Sequence, residues 1–441
     1  MPDYTVHTQA DIKKMLKTLK IKSVKELFKN IPASLKAKTL KIDKGKSQLE
    51  VINELTGIAA KNKVYDCIML GAGAYNHYIP PVVTHLSERE EFVTAYTPYQ
   101  AEMSQGILQS IFEYQTMIAN LTGMDISNAS MYDGATAAAE AVIMCLDKNS
   151  DNIVVSENIN PMTLKVFRTH LEPLRINIIQ AGGKGKTSAK AILDAVNEST
   201  AAVYIEQPNF FGVIEDAAGT GALIKQTKAK YIMGVNPIAM GLLDSPGECG
   251  ADIAVGEGQP LGIPLSFGGP YLGFLAAKDK LIRKMPGRIV GETVDTLGRR
   301  AYVLTLQARE QHIRREKALS NICSNQALCA LKAAIYLAAN GPRGLSEVAA
   351  QCVSKAHYAK DKFISTGVMS EIYPYEFFHE FPLKCAAPAD KILKALAKKG
   401  ILGGLKLDDF TILWCITEMV TKKDIDRAAG IIKGVKNETD I

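Results

Sequence analysis

Apolar positions along the chain follow three successive rhythms. Near the N-terminus, Ile12, Met15, Leu16 and Leu19 share one helical face, and Val24, Leu27, Phe28 and Ile31 share another. Each run opens with a capping box, Thr8-Gln-Ala-Asp11 and Ser23-Val-Lys-Glu26, in which hydroxyl and carboxylate reciprocally satisfy free amide donors. Such faces are expected to pack onto something else. A longer helix over 102–121 carries Ile107, Ile111, Tyr114, Ile118 and Leu121, widened by Leu108 and Phe112, and Gly123 ends it. Short apolar strands then alternate with helices to about residue 290. The strands are read over 152–155, 176–180, 201–205, 231–235, 252–255 and 271–276, with helices over 135–146, 162–171, 189–196 and 222–228. This alternation argues for a largely parallel sheet covered on both faces, with its ligand site at the carboxyl ends of the strands. The last rhythm is a smaller α+β unit: a helix over 325–339, the break Asn340-Gly-Pro-Arg-Gly344, a helix over 345–363, a strand region over 371–378, a helix over 390–399, a strand over 411–416 and a final helix over 423–433. The chain thus divides into an N-terminal helical and extended segment (1–95), a large α/β domain (96–325) and a small C-terminal α+β domain (326–441).

Composition adds little to that picture but removes several classes of function. With 441 residues and 47% hydrophobic content, the chain can bury a large core. No apolar run approaches the roughly 20 residues of a membrane span, so a cytoplasmic protein without a membrane partner is expected. The eight cysteines form no C-x-x-C pair and read as reduced, buried thiols with no metal site. A net charge of +6 spread along helices does not suggest nucleic acid. Twelve lysines within the first 46 residues are read as a solvated helix face, with a docking arm for an acidic partner as the alternative.

Three segments invite chemistry. Gly182-Gly-Lys-Gly-Lys-Thr-Ser188 ends like a phosphate loop, but Gln180 stands where its first glycine belongs, so a solvated turn is expected. Met131-Tyr-Asp-Gly-Ala-Thr-Ala-Ala-Ala-Glu140 enters a helix whose free amides could hold a phosphate, yet Asp133 at the cap competes for them and repels anions. The segment 306–317 carries Arg309, Arg314 and Arg315, which could clamp a carboxylate; with Glu310 and Arg314 four apart, an ordinary exposed helix is expected instead. His77, His85 and His312 read as structural. The stretch Val255-Gly-Glu-Gly-Gln-Pro-Leu-Gly-Ile-Pro264 closes a buried strand with Glu257 as its one ionisable residue.

Several stretches together resemble one family. Thr97-Pro-Tyr-Gln-Ala-Glu-Met-Ser-Gln-Gly106, Tyr114-Gln-Thr-Met-Ile-Ala-Asn-Leu-Thr-Gly123, Phe267-Gly-Gly-Pro-Tyr-Leu-Gly-Phe274, Gln307-Ala-Arg-Glu-Gln-His-Ile-Arg-Arg-Glu-Lys317 and the 255–264 stretch resemble the P-protein, or glycine decarboxylase, of the glycine cleavage system. At this length the chain is similar to subunit 1 of the family's two-chain bacterial form. The resemblance implies a pyridoxal-phosphate-dependent transferase fold of the aspartate-aminotransferase type, with a mostly parallel seven-stranded sheet. It also implies glycine decarboxylation with transfer of the aminomethyl group to the lipoyl arm of H-protein, in an α2β2 assembly with a coenzyme-bearing subunit 2. In that partner a lysine Schiff base and an acid beside the pyridine nitrogen hold pyridoxal phosphate. Here alignment places Pro260 at the lysine and Met233 at the acid, and Asp133 stands at the phosphate turn. The implied site is therefore a vacated pocket lined by Asp133, Gly134, Ala135, Thr136, Met233, Gln259 and Pro260, with no catalytic or coenzyme-binding residue in this chain. Two rivals stay open: an autonomous pyridoxal-phosphate enzyme using Lys278 or Lys280, and a non-catalytic regulator that binds a ligand in the pocket.

Overall fold

The computed structural model describes residues 6–36, 42–322 and 325–437. Its contacts group the chain into two units, one ending at Val64 and the other beginning at Tyr65.

The first unit holds helix α1 (Gln9–Thr18), two 3-10 turns (Val24–Phe28 and Ala33–Leu35) and helix α2 (Gln48–Ala59). The Thr8 capping box forms, with Asp11 Oδ2 accepting from Thr8 N at 2.8 Å. A third box, Ser47 to Glu50, starts α2 in the same way. The Ser23 box heads a 3-10 turn rather than an α-helix. No helix of this unit buries a residue within the chain. Its apolar faces stay open: Leu27, Phe28, Leu49 and Leu55 are all more than half exposed.

The second unit is built on a seven-stranded sheet. Its strands are β1 (Ile126–Ser127), β2 (Asn152–Ser156), β3 (Asn177–Ala181), β4 (Thr200–Gln207), β5 (Lys230–Val235), β6 (Ile253–Glu257) and β7 (Gly273–Ala277), in the order β1-β7-β6-β5-β4-β2-β3. The five from β2 to β6 run parallel, and β7 is antiparallel to both β6 and β1. Strands β2 and β4 are almost wholly buried, as a parallel sheet covered on both faces requires. On one face lie helices α3 (Gln105–Thr122) and α4 (Ala327–Ser365), where Tyr114, Ile118, Ala330 and Ala333 pack on Ile205, Met233 and Ala254. On the other lie α5 (Gly134–Cys145) and α6 (Pro161–Leu171), where Ala137, Ala141 and Phe167 pack on Val155, Ile232 and Val255.

One helix stands earlier than its sequence suggested, at Ala217–Ile224 rather than 222–228. Asp216 caps it by accepting from Gly219 N at 2.9 Å. Gly221 belongs inside it because a Cβ there would lie 2.0 Å from the Cys249 carbonyl oxygen. A hairpin, Ile289–Val294 with Arg300–Thr305, joins the sheet region to the remainder.

The long helix α4 bends at Gly341, where φ is 61° and Pro342 follows. Beyond it a four-stranded antiparallel sheet forms from Met369–Glu371, Glu380–Cys385, Thr411–Cys415 and Leu405–Asp408, in that spatial order. The strand expected over 371–378 is thus mostly loop. The strand that replaces it, Glu380–Cys385, pairs through Pro382 with Leu413 and carries Glu380 toward the large sheet. Near the start of the second unit, Cys67–Ile68 pairs in parallel with Ile401–Leu402, so the segment after Val64 joins the C-terminal sheet region.

Candidate functional site

A cavity of about 310 Å³ opens at the carboxyl ends of β4, β5 and β6, beneath the N-terminus of α5. This is the ligand position of an open parallel sheet, where a helix N-terminus and strand ends converge. Three elements deliver its polar groups. Glu206 closes β4, Glu257 closes β6, and Asp133 caps α5. Tyr75, from the loop after Cys67–Ile68, and Tyr204 and Tyr271 supply aromatic walls.

Two amides at the start of α5, those of Gly134 and Thr136, are already engaged. Asp133 Oδ1 accepts from Thr136 N at 2.7 Å and from Thr136 Oγ1 at 2.7 Å. Glu257 Oε2 accepts from Gly134 N at 3.0 Å, and its Oε1 accepts from Gln259 N and Leu272 N, each at 2.9 Å. Burial pushes Glu257 up to about 7 despite those donors, with Asp133 adding a smaller repulsion. Glu206 is also pushed up to about 7 by burial, although Oε2 accepts from Asn160 N at 2.7 Å and Oε1 from the Tyr204 hydroxyl at 3.2 Å.

A smaller adjoining lobe shares Tyr75 and Glu206 with the cavity and adds Glu380 and His379. Glu380 accepts from Ala72 N at 2.6 Å and from the Tyr75 hydroxyl at 2.8 Å, and burial raises it to about 7. Burial, with the neighbouring His77, holds His379 well below the ordinary histidine range.

Of the seven residues that the alignment placed around a pocket, Asp133, Gly134 and Ala135 line this cavity. The other four are elsewhere. Met233 faces the opposite side of the sheet and packs with α3 and α4, so the β5 position that faces the cavity is Gly234. Within the strands the period of two puts Tyr204, Glu206 and Gly234 on the cavity face and turns Met233 to the opposite one. Gln259 is 2% exposed and serves as a staple: Oε1 accepts from Tyr75 N at 2.8 Å, and Nε2 donates to Tyr75 O at 3.0 Å and Ile263 O at 2.7 Å. Pro260 is buried in the turn after Gly258, and Thr136 spends its amide and hydroxyl on Asp133.

Sequence reasoning missed Glu206, Tyr75 and Glu380. A signal for Glu206 existed, since it is the one charge in the strand Thr-Ala-Ala-Val-Tyr-Ile-Glu-Gln. Nothing local marks the other two, because long-range pairing alone brings them here.

The remaining candidates take structural roles. Thr187 is buried rather than solvated, donating to Glu215 Oε1 at 2.6 Å. The 306–317 segment is three short turns, not an exposed helix. Arg309 is drawn inward and donates through Nη1 to Met285 O, while Arg314 and Arg315 stay exposed. Lys280 and Lys278 pair with Asp252 at 2.9 and 3.8 Å, at the amino end of β6 and so at the sheet edge away from the cavity. His77, Cys352 and Glu418 place ligand-type atoms within 4.8 Å of one another, a grouping that spacing did not reveal. Hydrogen bonds account for it: Glu418 Oε2 meets His77 Nδ1 at 2.7 Å and Cys352 Sγ at 3.4 Å. Seven cysteines are free, and Cys323 lies outside the described residues. Among the described residues no helix is long and apolar enough to cross a membrane.

The donor set differs from what a phosphate-bearing coenzyme needs: among the described residues no lysine or arginine lines the cavity, and two carboxylates take the Gly134 and Thr136 amides.

Residues 2–432 match the family model described as glycine cleavage system P-protein. The chain is 48% identical to the probable glycine dehydrogenase (decarboxylating) subunit 1 of Desulfitobacterium hafniense, over 98% of this chain and 100% of that protein. It is 46% identical to the protein of the same description from Bacillus cytotoxicus, over 96% of this chain and 97% of that one. A crystal structure of glycine decarboxylase (P-protein) of the glycine cleavage system, in inhibitor-bound form, superposes with a TM-score of 0.92 at 41% identity, covering 98% of this chain and 100% of that chain. Aspartate aminotransferase from Thermus thermophilus shares the fold, with a TM-score of 0.60 at 14% identity over 85% of this chain and 99% of that one.

Proposed function

The chain belongs to the glycine cleavage system P-protein family, and on that premise we propose that it works as the coenzyme-free subunit of a two-subunit glycine decarboxylase. Its relatives named subunit 1 match it nearly end to end, so its enzymatic role is that of one subunit in a glycine dehydrogenase (decarboxylating). The proposal adds the division of labour. Subunit 2 carries pyridoxal phosphate and the bond-breaking chemistry on glycine; this chain completes the partner's cleft, stabilises an α2β2 assembly in the cytoplasm and shares in docking lipoylated H-protein. Its working parts are read as an N-terminal segment (1–95), a large domain (96–325) and a small domain (326–441).

One observation carries the division: the helix N-terminus at the strand ends is filled by Glu257 and Asp133, with no lysine on the cavity wall. The paired lysines at Asp252 make an autonomous enzyme the weaker reading, since they sit at the other end of β6.

The test is reconstitution. The isolated chain incubated with pyridoxal phosphate and then desalted should retain no coenzyme absorbance and release no carbon dioxide from glycine. Adding the coenzyme-bearing subunit and H-protein should restore turnover. Glycine decarboxylation by the chain alone would refute the proposal.

A further inference from the structure

We propose that the cavity at the carboxyl ends of β4, β5 and β6 is a binding site for a small cationic amine. This rests on the coenzyme-free reading and gives the cavity an occupant of opposite charge.

The cavity has the size of a small-molecule site, about 310 Å³. Asp133, Glu206 and Glu257 face it, and Glu380 faces the adjoining lobe. Among the described residues neither space is lined by a lysine or an arginine. The groups that satisfy these carboxyls are neutral: backbone amides of Gly134, Asn160, Gln259, Leu272 and Ala72, and hydroxyls of Tyr75, Tyr204 and Thr136. Hydrogen bonds therefore orient the carboxyls without cancelling their charge. A buried charge without a counter-charge is costly, and a protonated amine in the cavity supplies the missing cation together with three donors. The second oxygen of Asp133 accepts no hydrogen bond among the described residues, leaving an acceptor for it.

A second observation points to a missing guest. His379 is 2% exposed and lines the smaller lobe, yet among the described residues its Nδ1 has no hydrogen-bond partner. Burial keeps this ring neutral, so it adds no positive charge that would balance the acids. Tyr75 and Tyr271 place aromatic rings at the wall, surfaces that favour a cation and a flat apolar body. The same walls disfavour anions, because the Gly134 and Thr136 amides at the helix N-terminus are taken by Glu257 and Asp133.

Benzylamine, benzyl alcohol and benzoate have one shape and three charges, and calorimetric titration of each into the full chain separates charge from fit. Benzylamine should bind at one site at least tenfold more tightly than the other two. Its affinity should rise from pH 6 to pH 8 as Glu206, Glu257 and Glu380, all near 7, give up their protons. Glu206→Gln should weaken it about tenfold; should that variant not fold, the pH profile of the unaltered chain decides. Equal binding of benzyl alcohol or benzoate, an affinity flat with pH, or no saturable heat with benzylamine overturns the inference. A parallel titration with pyridoxal phosphate separates the two readings. Stoichiometric uptake of the coenzyme overturns both, whereas silence from coenzyme and amine alike overturns this one only.

Discussion

Strand β6 carries an acid at each end, and the two surroundings drive them in opposite directions. Asp252, just before its amino end, would be raised by burial alone; Lys280, the Tyr231 amide and Lys278 overcome that and hold it below the usual carboxylate range. Glu257, at the carboxyl end, meets only backbone amides, and burial lifts it to about 7. Five residues apart in sequence, one carboxyl is compensated by charge and the other only by dipoles. The difference shows that amides can fix a carboxylate in place without making its ionisation comfortable. It also shows where this sheet keeps its cations: at the edge that faces away from the ligand position.

The broadest way to break that comparison is pH. Glu206, Glu257 and Glu380 bind protons more tightly in the folded chain, at about 7, than in the unfolded chain. Their contribution to stability is therefore complete below the unfolded value of 4.5 and is lost as pH rises through 7. Urea unfolding should show a loss of about 4 kcal/mol between pH 6 and 8 if the three groups act independently, and less as Glu206 and Glu380 repel one another. Asp252 has the opposite sign: its contribution is present above 3.8 and disappears only on further acidification. A stability that climbs from pH 6 to 8 contradicts the assignment.

Glu257→Ala tests the carboxyl end directly. It strands the amides of Gly134, Gln259 and Leu272, and should cost about 2–3 kcal/mol at pH 6, read from the same urea midpoints. A cost near zero would mean that water replaces the carboxylate and that the cap is not what shapes this cavity. At the other end the effect should be smallest. Lys280 is more than half exposed, so solvent screens its pair with Asp252, and Lys280→Ala should cost no more than about 0.5 kcal/mol. Raised salt should shrink even that difference.

Much of the architecture was legible because its elements are locally consistent. The stripe from Ile107 to Leu121 with Gly123 behind it is a helix with a left-handed glycine cap, at φ 65°. Asp133 caps its helix as its side-chain chemistry dictates. The strand over 371–378 failed because its aromatic residues serve different neighbours, Phe377 in the small-domain core, Phe378 in the large one and Tyr373 against Phe211, while Pro382 pairs within a later strand, which local propensity disfavours. The candidate site was legible in part. Glu257 stood out as an isolated charge, but its partners Gly134 and Leu272 lie on other elements. Met233 stands one residue from the cavity-facing Gly234, and in a strand one residue is the difference between two faces of the sheet.

The hydrogen bond from Gly134 N to Glu257 has a bearing on reversibility. A lysine at position 260 alone would leave the helix end closed by Glu257 and Asp133. Opening the cradle alone leaves no anchor. Each change is without benefit until the others are made, so on the proposed division of labour no single substitution would convert this cavity into a coenzyme site.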